Sequence, residues 1–173
     1  MVTTVITGAT SGIGLQISKQ LASYGHNLIL ISRSYEKLEI LRSDLLTNHN
    51  INIQIYSADL SLFSANLEIV SKIIHSYDKV DILINNVGGI FMDRMLTNEN
   101  IEMTFALNHM SYYILSTRLI KYFKCMRIIN VSSAAHRNIK LNESDYQNNY
   151  NYNGWFAYKR SKLANIYLTY EMH

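Results

Sequence analysis

Tyr158 and Lys162 stand four residues apart and share one face of a helix that the sequence pattern predicts from residue 154 to the end. A phenol ordinarily titrates at about pH 10, too high for proton exchange near neutrality, and a neighbouring ammonium lowers that value by favouring the phenolate. Such a pair suits general acid and base work. In a chain with 13 tyrosines, the same spacing also describes ordinary helix surface. Ser132 and Ser133 follow an apolar run and stand where open parallel sheets present side chains to ligands, so either hydroxyl can bond a substrate oxygen or simply begin a turn. Asn108, a weak helix former in the middle of the longest helical pattern, is either a tolerated polar residue or the mark of a distortion that turns a carbonyl toward water. The six histidines have no ligand spacing with one another or with Cys125, so no metal site is expected. No nucleophile elbow surrounds Ser133, which argues against a hydrolase.

A second group of residues has the chemistry of phosphate recognition. Residues 7–14 read TGATSGIG and place Gly8, Gly12 and Gly14 at the turn from an apolar run into a helical one. Glycine permits a sharp bend and a close backbone approach, and the helix that follows aims its free amides at an anion. The spacing G-x-x-x-G-x-G differs from the older dinucleotide fingerprint. About twenty residues on, where an acid would bind a ribose 2′-hydroxyl, the chain has Ser32, Arg33 and Ser34. A guanidinium there fits a 2′-phosphate, or is an ordinary solvated loop cation. Asp59 is placed equally well to accept from an adenine amino group or to cap the next helix.

The elements that must position these groups alternate between strand and helix, the pattern of βαβ units feeding a parallel sheet. Strands are expected at residues 2–7, 27–32, 51–56, 80–84 and 126–131, and helices at 13–24, 34–47, 62–77, 98–124 and from 154 onward. The helix over 98–124 is expected to open on Glu99 and Glu102 and to close on Lys121, Lys124 and Arg127, which complement its dipole. Residues 134–153 are polar and aperiodic, a loop long enough to be functional or mobile.

Composition sets the outer bounds. With 173 residues, 48% hydrophobic and 17% charged, the chain is sized for one domain with one core, residues 1–173. Sixteen basic against thirteen acidic residues leave +3, too little and too scattered for a nucleic-acid partner. One cysteine forbids an internal disulfide and suits a reducing compartment. No apolar run reaches the length of a membrane span and no signal peptide opens the chain, so a cytoplasmic location is expected.

Taken in order, TGATSGIG, Asp59 and Leu60, NNVG at residues 85–88, Asn108, INVSS ending at Ser133 and YKRSK at residues 158–162 resemble the short-chain dehydrogenase/reductase family, along the whole chain. The segments SRSYEKL, INVSSAAH and YKRSKLANIYLTYE look most like its retinol dehydrogenase-like branch. The resemblance implies a Rossmann-like, doubly wound α/β fold with strand order 3-2-1-4-5. It also implies a tetrad in which Tyr158 is the general acid/base and Ser133 orients the substrate oxygen. Lys162 would hold the nicotinamide ribose, and Asn108 would anchor a water that relays protons to it. Cofactor contacts would come from Gly8, Ser11, Gly12, Ile13, Gly14, Arg33, Asp59, Leu60 and Asn85 together with Tyr158 and Lys162, with Arg33 favouring NADP(H) over NAD(H). The implied substrate is a small-molecule alcohol or carbonyl, retinoid- or steroid-like, and the implied assembly a homodimer. Three departures stand out: valine in NNVG where alanine is commoner, a long interval from Ser133 to Tyr158, and an end at His173 where family members continue through two more strands and a substrate-covering segment. The expected activity is therefore NADP(H)-dependent hydride transfer, with a catalytically incompetent dinucleotide-binding fragment or interaction module as the alternative. Branch members with an N-terminal anchor keep a membrane-associated location open.

Overall fold

Hydrogen bonding between strands decides where everything else lies, and in the computed structural model, which describes residues 1–173, it builds one parallel sheet. Its strands are β1 (Thr3–Thr7), β2 (Asn27–Ser32), β3 (Ile53–Ser57), β4 (Ile82–Asn85) and β5 (Arg127–Asn130), in the order β3-β2-β1-β4-β5 expected from the sequence. Val5 pairs with Ile29 on one side and with Leu83 on the other, so β1 is the central strand. Helices α1 (Gly12–Ser23), α2 (Tyr35–Asn48) and α3 (Phe63–Ser76) make the first crossovers. The connection from β4 to β5 carries α4 (Met103–Phe105), a π-helical segment (Ala106–Met110) and α5 (Ser111–Tyr122), and α6 (Gly154–Glu171) closes the chain.

Alternation along each strand divides the apolar residues between two faces. Val5, Ile29, Ile31 and Leu83 join Ile69, Ile73, Leu115 and Leu119 of α3 and α5 in one buried cluster. Ile6, Leu28, Leu30 and Ile84 join Ala22, Leu38 and Leu41 of α1 and α2 in the other. A fully buried Leu or Ile contributes about 1.5–3 kcal/mol. The four ion pairs all involve exposed or half-exposed side chains, a class worth about 0–1 kcal/mol each, so the two apolar layers hold the sheet and its helices together. No helix is long and apolar enough to cross a membrane.

Three local expectations are corrected. The helix expected from residue 98 to 124 begins at Met103, widens into a π turn at Ala106–Met110 and ends at Tyr122. Before it, Asn100 takes a left-handed conformation (φ 61°) and Leu96 bridges to Glu102. Glu102 does cap this helix, accepting from the amides of Thr104 and Phe105, but Glu99 accepts from Phe63 and Ser64 and so caps α3. Leu62 precedes α3 and has no side-chain acceptor, which leaves those amides to a carboxylate 36 residues from Phe63. Of the three expected closing cations only Lys121 lies in the last turn, since Arg127 opens β5.

The long segment after β5 is tied down. Asp145 accepts from the amides of Asn149 and Tyr150, Arg94 donates to the carbonyl of Asn148, and Tyr152 donates to the carbonyl of Phe91 at 2.9 Å.

The turn that joins β1 to α1 is one of two points, with Gly154, where the backbone leaves no room for a side chain. A Cβ on Gly14 would lie 2.2 Å from the carbonyl oxygen of Gly8, whereas one on Gly12 (φ 52°) meets nothing within 4 Å. Gly14→Ala is therefore expected to destabilise the fold by about 1–3 kcal/mol or more through overpacking. Gly12→Ala meets only the conformational cost of a left-handed residue, about 1–2 kcal/mol. Urea denaturation checks the order: the Gly14→Ala midpoint should be the lower of the two, with an unchanged slope.

Candidate active site

Parallel strands bring their carboxyl ends, and the turns that follow them, to one edge of the sheet. A cleft of about 450 Å³ opens there. Its lining comes from the glycine turn (Gly8, Ser11, Gly12, Ile13), the end of β2 (Ser32, Arg33), Leu60 after β3, residues 86–89 after β4, residues 131–133 after β5, and Tyr158 and Lys162 from α6. Ser133, Tyr158 and Lys162 are thus brought into one cavity with the glycine turn.

At the turn, Gly8 (φ 66°) donates its amide to the carbonyl of Ile31 at 2.9 Å, and Thr10 bonds Ser32 side chain to side chain at 2.7 Å. These bonds fix the turn against β2, and Ser11, Gly12 and Ile13 at the start of α1 line the cleft. Ser11, at the N-cap, makes no side-chain capping bond, and the first turn holds no acid, so α1 itself carries no charge that opposes an anion there. Arg33 is exposed and takes part in none of the ion pairs. Ser34 caps α2 through the amide of Lys37.

At the opposite end, the two serines are separated by their bonds. Ser132 donates its hydroxyl to the carbonyl of Lys162 at 2.8 Å. The Ser133 hydroxyl accepts from the amide of Ala135, which leaves its own proton free. Tyr158 stacks on Trp155, the only tryptophan, with centroids 5.6 Å apart at 22°. Lys162 is 4% exposed, donates to the carbonyl of Val131 at 3.0 Å, and places its ammonium 5.8 Å from the Tyr158 ring centroid and 5.4 Å from that of Tyr112. Burial pushes the Lys162 ammonium down to about 8 from its ordinary 10.5.

Four expected residues lie off the cleft lining. Gly14 acts by letting α1 approach Gly8. Asp59 accepts from both the amide and the hydroxyl of Ser61, closing a turn ahead of α3 rather than capping it. Asn85 is fully buried and donates to Ser116 and to Asn130, both at 2.8 Å, because the alternation of β4 points it between α5 and β5. Its neighbour Asn86 lines the cleft instead and donates to the carbonyl of Thr7 at 2.9 Å. Asn108 is fully buried in the π segment, the distortion that its place in the pattern allowed. Its amide group accepts from the Gly89 amide and donates to the Gly89 carbonyl, both at 2.9 Å, and it also reaches Ser161 at 3.1 Å. Its main-chain carbonyl accepts from the side chain of Asn165 at 2.8 Å. Sequence reading missed Asn86, Asn165 and Tyr112. Tyr112 lies four residues after Asn108, a spacing that could have drawn attention to it.

A parallel α/β sheet with a glycine turn at its central strand, and Ser, Tyr and Lys gathered at the carboxyl edge, defines the class of short-chain dehydrogenases. The chain belongs to that family: the family model for short chain dehydrogenases matches residues 2–173. It is 36% identical over 178 residues to retinol dehydrogenase 13 of Homo sapiens, covering 98% of this chain and 53% of that protein. Identity to retinol dehydrogenase 11 of Homo sapiens is 32% over 172 residues, covering 97% and 54%. The chain thus spans about half the length of the curated relatives it matches. Among solved structures, an uncharacterized protein from Mycobacterium Paratuberculosis superposes with a TM-score of 0.86 at 29% identity, covering 99% of this chain and 61% of that one. A short-chain dehydrogenase from Sphingobium yanoikuyae in complex with NADPH shares the fold at a TM-score of 0.81 and 24% identity, covering 99% and 64%.

The lowered Lys162 value carries a linkage consequence. Between about pH 8 and pH 10.5 the unfolded lysine binds more proton than the folded one, so its contribution to stability rises with pH across that window and is flat on either side. In Lys162→Met the contribution is gone. The difference in urea midpoint between wild type and variant is expected to shift in favour of the wild type as pH rises from about 8 to 10.5.

Proposed function

We propose that this chain binds a nicotinamide dinucleotide, with NADP(H) preferred, and interconverts an alcohol and a carbonyl compound. The observation that carries the reading is the meeting of Ser133, Tyr158 and Lys162 in one cleft with the glycine turn. The cleft fits such a group on its own evidence. Its volume lies within the range of cofactor sites, and the space that a Gly14 side chain would need is taken by the backbone of the turn itself. When bound, the nicotinamide supplies or accepts a hydride.

The chain's own residues do the rest. Ser11, Gly12 and Ile13 would offer backbone amides and a hydroxyl to the pyrophosphate, Gly8 would let the chain pass close to it, and Leu60 would border the adenine end. The unpaired Arg33 guanidinium would receive a 2′-phosphate. Ser133, with its hydroxyl proton free, would donate to the substrate oxygen, and Tyr158 would pass a proton to that oxygen or take one from it. Lys162 would hold the nicotinamide ribose beside Tyr158, and Asn108 would hold the floor of the cleft through Gly89. The NADPH complex of the Sphingobium yanoikuyae protein and the names of the two human retinol dehydrogenases support the cofactor class and a lipophilic alcohol or carbonyl substrate.

Titration with NADPH and assay against aldehydes, ketones and retinoids test the reading, with Tyr158→Phe as the decisive variant. That variant is expected to bind NADPH as the wild type does while losing about 10²–10⁴-fold in turnover. NADPH binding by a wild type that turns over no substrate would leave the nucleotide-binding module alone standing. Absence of binding would overturn the proposal.

Arg33→Asp removes the fork and places an anion beside the ribose. The ratio of NADPH to NADH affinity is expected to fall by about tenfold or more, one charge-assisted contact being worth about 1.5–3 kcal/mol. An unchanged ratio would assign Arg33 to the solvent.

A further inference from the structure

The reaction outlined above gives no work to Tyr112, yet it is the largest fully buried side chain of the molecule. It lies on α5, four residues after Asn108, and its ring faces the Lys162 ammonium at 5.4 Å. Its hydroxyl has one proton and two acceptors in reach: the carbonyl of Val87 at 2.9 Å, beyond β4, and the carbonyl of Val131 at 3.4 Å, beyond β5. Lys162 donates to that same Val131 carbonyl at 3.0 Å. Burial first, and the neighbouring Tyr158 second, hold the Tyr112 hydroxyl above the ordinary phenol range, so it stays protonated and remains a donor.

The other groups facing Lys162 are few. Tyr158 lies on its own helix, the Gly88 backbone approaches from the end of β4, and Asn108 lies beside Gly88 from the π segment. None of the ion pairs includes Lys162, so its charge rests on one carbonyl and two aromatic faces.

We propose that Tyr112 is a positioning residue for Lys162: its ring supports the buried ammonium, and its hydroxyl competes with the ammonium for the Val131 carbonyl. The competition has a use. While Lys162 bonds Val131, the Tyr112 proton serves Val87. When Lys162 turns toward a ligand in the cleft, the Tyr112 hydroxyl lies within reach of both carbonyls and its one proton can be shared between them, so Val131 keeps a donor nearby. The ring's part stands on the free protein alone. The release of Lys162 deepens the proposed function and rests on it.

The test reads Lys162 directly. In protein labelled with ¹³C at the lysine ε-carbons, the Lys162 signal is assigned by its loss in Lys162→Arg and followed against pH without any cofactor. The wild-type midpoint is expected at about 8. Tyr112→Phe keeps the ring and removes the competitor, so its midpoint should lie above that of the wild type, because the Val131 carbonyl then serves the ammonium alone. Tyr112→Leu lacks the aromatic face as well, and its midpoint should lie about one pH unit below that of Tyr112→Phe. NADPH affinity should fall severalfold in Tyr112→Phe, with Lys162 held harder on Val131.

A Tyr112→Phe midpoint at or below that of the wild type overturns the hydroxyl's part. A Tyr112→Leu midpoint equal to that of Tyr112→Phe overturns the ring's part. Tyr112→Phe differs by one oxygen atom and preserves the packing, so it decides the hydroxyl's part even where Tyr112→Leu unfolds. The midpoints need no nucleotide. Failure of the wild type to bind NADPH would therefore overturn the cofactor reading and the release of Lys162 while leaving the midpoints to judge Tyr112.

Discussion

A positive charge enclosed by protein without a carboxylate beside it constrains everything around Lys162. Taking an ammonium out of water is costly, and the structure answers with a main-chain carbonyl and two aromatic rings. An acid in the same place would have held the charge more firmly and would also have neutralised it for any ligand. The carbonyl of Val131 can serve only because β5 ends one residue earlier and its next carbonyl needs no partner strand. The rings can serve only because α5 and α6 bring Tyr112 and Tyr158 to the same ammonium. The ends of β5, α5 and α6 are thereby fixed relative to one another by one side chain.

A ladder of amide side chains performs a related task behind the cleft. Ser116 accepts from Asn85, Asn85 donates to Asn130, and Asn130 donates to Thr169. Thr169 donates to the carbonyl of Asn165, and Asn165 donates to the carbonyl of Asn108. These bonds run from β4 through β5 and α6 to the π segment. Each adds only about 0.5–1.5 kcal/mol net, but leaving one buried partner unmet costs about 1–3 kcal/mol, so the ladder selects one relative placement of α6 more than it stabilises the fold. The widened turn at Ala106–Met110 is what directs the Asn108 carbonyl toward Asn165 and its side chain toward Gly89.

What could be read in the sequence was what is encoded locally. Apolar period and glycine placement gave five strands and the helices between them, while the strand order came from the family resemblance and not from any local pattern. Ser133 and the glycine turn were legible because each follows the carboxyl end of a strand whose direction the parallel pattern fixes, and Tyr158 and Lys162 because their four-residue spacing puts them on one face of α6. Glu99 was assigned to the wrong helix because an orphan amide accepts any carboxylate that folding brings near, and no local spacing encodes a partner 36 residues away. Asn85 and Asn86 were exchanged because the strand ends between them, and a shift of one residue there turns a side chain from the cleft into the core. Tyr112 stayed hidden because its role depends on two carbonyls from different strands.

Trp155 is the only indole in the chain, and it lies flat against the phenol at position 158. The molecule therefore carries one built-in optical reporter, placed beside the mouth of its cavity and free of interference from any other tryptophan. A chromophore arriving next to that phenol comes within range to quench or redirect the indole's emission. Occupancy of the cleft can then be followed by fluorescence, in real time, on the unlabelled chain.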